Sequence, residues 1–127
     1  MYNRFKESLS LLLEVPGVFA VVLSNRDGIV VEYVSNGTHT DSNVIGAMSA
    51  GIFGMIKKSL QRISEGDDIL GGELNQVLVE LTDSKLMAVS VTDGILMSIS
   101  KENVNLGLLR IYTKKTSDRI SEIMNSI

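Results

Sequence analysis

The chain has no cysteine and no tryptophan, and only one proline and one histidine among its 127 residues. Without cysteine there are no disulfides, thiolate nucleophiles, cysteine-held metals or iron–sulfur clusters, so packing alone must hold the fold. The single histidine, His39 in "NGTHT", leaves a Ser-His arrangement or a histidine metal site without a second member, and in a polar loop it reads as solvated. Surplus positive charge is also missing. A net charge of −3 offers no excess of Lys and Arg to neutralise a row of phosphates, which argues against nucleic acid as a partner. No stretch approaches the ~20 apolar residues of a membrane span. The leucine cluster in "MYNRFKESLSLLLEVPG" is flanked by Arg4, Lys6, Glu7 and Glu14, unlike a signal peptide, so the expected place is the cytoplasm without membrane insertion. "NGT" at 36–38 matches a glycosylation acceptor, a triplet that arises often by chance.

What is present is apolar material in ordered blocks. Hydrophobic residues make up 44% and charged residues 21%, a balance that folds, and the length suits one domain over 1–127. Phe5, Leu9, Leu12 and Leu13 recur at helical spacing, which predicts a helix over 2–14 that stops before Pro16. Residues 18–24 and 29–34 are rich in Val, Ile and Phe, and "NRDG" between them carries the Asp-Gly pair of a hairpin corner. "GVFAVVL" is apolar on both faces, which puts its strand in mid-sheet with helices on both sides.

Thr40 or Asp41 can cap a helix over about 42–64, whose stripe of Ile45, Met48, Ile52, Met55, Ile56 and Ile63 is expected to lie on the sheet. Gly46, Ala50 and Gly54 form a line of small residues on the same helix, although glycine costs about 1 kcal/mol of helix propensity. A close neighbour must offset that cost, either a second helix across a dimer or the chain's own sheet. Strands then follow at 74–81, 86–91 and 95–100, joined by "TDSK" and "TDG". Val77, Val79 and Leu81 share one face, as do Ile95, Met97 and Ile99, while Gln76, Glu80, Ser98 and Ser100 point the other way, so these strands are expected to be half covered. A last helix over 104–126 has Asn103 or Asn105 as its cap.

Catalytic equipment is sparse in this pattern. Asp27, Asp83 and Asp93 all fall at hairpin corners, where a short carboxylate bonds the local backbone. Asp67-Asp68 in the acidic stretch 65–75 lacks the alternating oxygen ligands of a calcium loop, and Gly71-Gly72 precedes a strand instead of opening a helix as a phosphate cradle would. Met48, Met55, Met87 and Met97 read as core filler, and Lys114, Lys115 and Arg119 as a solvated basic face. No catalytic residue, cofactor site or metal site is expected, and the chain is read as a non-enzyme.

Four stretches in order resemble the Roadblock family, the dynein light-chain and MglB-type domain: "LLLEVPGVFAVVLSNRDGIVV", "IGAMSAGIFGMIKKSL", "LNQVLVEL" and "NVNLGLLRIYTKKTSDRI". The resemblance implies an α/β, profilin-like domain of order α-β-β-α-β-β-β-α. Its five-stranded antiparallel sheet would carry the central helix on one face and the first and last helices on the other. It also implies a homodimer with central helices side by side and third strands paired edge to edge, which would place Gly46, Ala50, Gly54, Val77, Val79 and Leu81 at the interface. Members commonly bind Ras-like small GTPases, as activating partners or scaffolds, and Arg26 is the candidate partner contact, as a solvated residue or as an arginine finger given in trans. A structural adaptor subunit and a small-ligand sensor domain are the alternative readings.

Overall fold

The computed structural model describes residues 3–37, 40–63 and 72–126. His39, Thr38 of the "NGT" triplet, Asp67-Asp68 and Gly71 lie outside them. Eight elements follow in the order helix α1 (Arg4–Leu13), strands β1 (Val18–Asn25) and β2 (Val30–Ser35), helix α2 (Ser42–Ile63), strands β3 (Gln76–Glu80), β4 (Ser84–Val91) and β5 (Gly94–Lys101), and helix α3 (Leu106–Asn125). The strands form one antiparallel sheet in the spatial order β2-β1-β5-β4-β3, so β2 and β3 are its two edges. This is the profilin-like α/β sandwich that the order of elements implies.

Short polar side chains set the helix starts. Asn3 Oδ1 accepts the Lys6 N–H at 3.1 Å and caps α1. Asp41 Oδ1 accepts the N–H groups of Asn43 and Val44, and Asn105 Oδ1 accepts that of Leu108 at 3.0 Å, so Asp41 and Asn105 are the caps. The first hairpin turns through Arg26, Asp27 and Gly28, with Gly28 at φ +88°, a left-handed position suited to glycine. The side chain that holds this corner is Asn25, not Asp27: Asn25 Oδ1 accepts the N–H of Asp27 at 2.9 Å and of Ile29 at 3.0 Å.

The sheet separates two apolar layers. On one side Leu9 and Leu12 of α1 and Leu109 and Ile120 of α3 pack against Val21, Leu23, Met87 and Leu96. On the other, Ile45 and Phe53 of α2 pack against Ala20, Val22, Ala88, Ile95, Met97 and Ile99. Strand β1 therefore feeds both layers, as its unbroken apolar run requires.

Strand β5 departs from the half-covered expectation: residues Gly94 to Ser100 are all buried. Ser98 and Ser100 do point away from Ile95, Met97 and Ile99, but β5 is the middle strand, and α1 and α3 cover that second face as well. Small serines fit beneath two helices; their polarity gives no sign of exposure.

Candidate functional site

The candidate site is the region where the sheet outruns its helix. Helix α2 packs chiefly on β1, β5 and β2, displaced toward one edge of the sheet. The cause is a pair of small-residue contacts. A methyl on Gly28 would lie 3.0 Å from the Ala47 Cα and 3.3 Å from the Ala50 Cβ, so the helix sits directly on the first hairpin. Gly46 is buried there, with the Gly28 carbonyl and the Val30 side chain as its nearest neighbours. The close neighbour expected for the line Gly46, Ala50, Gly54 is thus the chain's own hairpin at its first two positions. Gly54 has open space beside it, as does Gly51.

The stripe expected to lie on the sheet does so at Ile45, which is buried, and at Met48, which packs against the same layer. At about 100° per residue only Met48 and Met55 lie opposite Gly46 and Ala50; Ile52, Ile56 and Ile63 run along the flank that begins at buried Ile45. There the stripe hangs past its support. Met48, Ile52 and Ile56 are half buried, while Met55 is 64% and Ile63 67% exposed, so these two do not lie on the sheet as expected and Met55 is not core. Met87 and Met97 are buried as expected.

Below that flank, Val77, Val79 and Leu86 are half buried and Leu81 is 53% exposed. Val77 and Leu86 pack at the margin of the α2-side layer. Strand β3 beside them is an edge, and its register fixes which backbone groups face outward. Ser90 N donates to Asn75 O and Leu81 N to Ser84 O, so residues 75, 77, 79 and 81 bond toward β4 while Gln76, Leu78 and Glu80 turn N–H and C=O away from the sheet. Among the described residues no side chain bonds the outward groups of these three. Among the described residues, an overhanging apolar helix flank, a partly exposed patch of sheet and an unpaired strand edge thus lie side by side, a surface suited to another sheet edge bearing its own apolar cover.

Arg26 is exposed at its backbone corner but is not simply solvated. Its Nη2 donates to Ser90 Oγ at 3.2 Å and to the Val91 carbonyl at 3.3 Å, tying the first hairpin to the end of β4. No sequence signal pointed to this tie, because Arg26 and Ser90 are 64 residues apart. The basic face of α3 is solvated as expected: Lys114 lies 3.6 Å from Asp118, both well exposed, and the Lys115 ammonium sits 5.4 Å from the Tyr112 ring centre. A groove between α1 and α3 is lined by Arg4, Glu7, Ser8, Arg119, Glu122 and Ile123, with both signs of charge and little apolar wall. Among the described residues there is no group of three or more His, Cys, Asp or Glu placed to hold a metal ion, and no helix long and apolar enough to cross a membrane.

A five-stranded antiparallel sheet between a displaced α2 on one face and α1 and α3 on the other is a profilin-like α/β sandwich. Residues 4–101 match the Roadblock/LC7 domain, and the chain belongs to that family. It is 32% identical over 104 residues to uncharacterized protein MJ0714 of Methanocaldococcus jannaschii, covering 82% of each chain. Among solved structures it is similar to Myxococcus xanthus MglB, with a TM-score of 0.83 at 20% identity over 99% of this chain and 98% of that one. Acanthamoeba castellanii profilin II has the same fold at greater distance, with a TM-score of 0.64 at 17% identity over 93% and 97% of the two chains.

Proposed function

We propose that the chain is a homodimeric regulator or scaffold of a Ras-like small GTPase, acting in the cytoplasm without an active site of its own. The observation that carries this reading is the open β3 edge beside the overhanging flank of α2, in a chain of the Roadblock/LC7 family. Two copies joined through β3 would form one ten-stranded sheet and satisfy the outward groups of Gln76, Leu78 and Glu80. They would also bring Met48, Ile52, Met55 and Ile63 of each copy over Val77, Val79 and Leu81. Gly46 and Ala50 also meet the chain's own hairpin, and Gly54, with open space beside it, can take a close neighbour from the second copy.

Such a dimer acts on a GTPase through its surface. Docking orders the GTPase's switch loops, which holds the partner's own water-positioning and charge-stabilising groups in place. Arg26 belongs to the partner-contact reading, with its guanidinium engaged by Ser90 and Val91 instead of extended for transfer.

The test is capture of GTPases from native lysate in both nucleotide states, followed by measurement of GTP hydrolysis with and without the chain. Capture with altered hydrolysis is the expected result. Failure to bind a GTPase in either state overturns the reading, and binding with unchanged turnover assigns the structural adaptor instead. In the same assay Arg26→Ala is expected to keep stimulation; its loss with binding intact would assign the arginine finger.

A further inference from the structure

The two sheet edges are not equivalent, and we infer that Glu32 closes the β2 edge to strand pairing, leaving β3 as the one edge open to another chain. Asn36 N donates to Phe19 O at 2.9 Å, and the β1–β2 register then directs residues 32 and 34 toward β1 and turns the N–H of Tyr33 outward, at the middle of the edge. That N–H is already taken. Glu32 Oε1 accepts it at 3.0 Å, and Glu32 Oε2 accepts a hydrogen bond from the Asn3 side-chain amide. Asn3 is itself fixed, because its other atom, Oδ1, caps α1. The carboxylate is therefore held over the edge by a residue anchored in a different layer of the fold.

An added strand would need to place a carbonyl oxygen where the Glu32 carboxylate now sits, so two acceptors, one of them charged, would compete for one donor. A register irregularity between Leu23 and Ser24 also disturbs the pairing beside Val31 and twists the edge away from a flat partner. At β3 no side chain among the described residues does the same for Gln76, Leu78 or Glu80. Glu32 thus limits sheet extension to one side, and an assembly built through β3 stops at two copies instead of growing into a filament. This consequence rests on the dimer reading, while closure of the β2 edge stands independently of it.

The experiment compares wild type with Glu32→Val, which removes the acceptor, and Glu32→Gln, which keeps an acceptor oxygen. Light scattering across a concentration series is expected to give Glu32→Val at least twice the wild-type mass at high concentration, with Glu32→Gln unchanged. Amide exchange on dilute protein provides the second reading: the Tyr33 amide should exchange at least tenfold faster in Glu32→Val, while Val34 and Val22 stay protected and report an intact sheet. Wild-type mass for Glu32→Val at every concentration, or unchanged Tyr33 exchange, overturns the inference. A wild type that is monomeric, with Glu32→Val dimeric, removes the β3 dimer and leaves the closed β2 edge supported.

Discussion

A methyl group built on Gly46 would lie 2.8 Å from the carbonyl oxygen of Gly28, so helix α2 and the first hairpin meet backbone to backbone. Alanine gains about 1 kcal/mol of helix propensity over glycine. Overpacking against a fixed carbonyl costs about 1–3 kcal/mol, and the obstacle here is backbone, which cannot swing aside. Gly46→Ala is expected to lower stability by about 1–2 kcal/mol in urea denaturation. Gly54→Ala, with open space beside it, should instead raise stability by a few tenths of a kcal/mol to about 1 kcal/mol. Equal effects at the two positions would contradict the off-centre placement of α2.

Gly94, at the start of β5, is tighter still. A methyl there would stand 2.3 Å from the Ser24 carbonyl oxygen on the adjacent strand. Either the β1–β5 ladder separates or β5 loses its first pair, so Gly94→Ala should cost about 4 kcal/mol or more and yield little folded protein. Circular dichroism and the soluble yield on expression are sufficient to check it.

Thr116 carries a fully buried hydroxyl that has no hydrogen-bond partner among the described residues. A buried polar group left unpaired costs about 1–3 kcal/mol, whereas valine keeps the branched shape and similar helix propensity. Thr116→Val is accordingly expected to stabilise the protein by about 1 kcal/mol, read as a rise in melting temperature. A fall would mean that the hydroxyl is satisfied in solution.

Gln76 opens β3 with its N–H turned away from β4, where proline is tolerated because no ladder bond within the chain is lost. Gln76→Pro should leave the circular dichroism spectrum in place and weaken self-association at least tenfold in sedimentation equilibrium. Unchanged association would take the β3 edge out of the interface.

Most element boundaries were legible because local physics sets them. Pro16 and Gly17 end α1, the apolar run Val18–Leu23 makes β1, and the Asp41 and Asn105 caps start α2 and α3 at the expected places. The depth at which each element lies was harder to read. Ser98 and Ser100 look half exposed along the chain, yet β5 is covered on both faces because two helices from opposite ends of the sequence meet over it. Ile45 and Met48 of α2 pack as the stripe predicts, while Met55 and Ile63 do not, for a related reason. Periodicity identifies an apolar stripe, but the contact at Gly28 decides which angle of the helix meets the sheet. Asn25, Glu32 and Arg26 act through hydrogen bonds whose partners no periodic pattern reveals.

The displacement of α2 also bears on how the chain folds. A sheet with one half roofed has an apolar layer that, on the dimer proposed above, a second copy would complete. Its stability would then follow mass action: dilution would withdraw part of the hydrophobic core, and the melting temperature should climb with protein concentration. Abundance in the cell would become a folding variable, setting how much of the chain is native before any partner arrives.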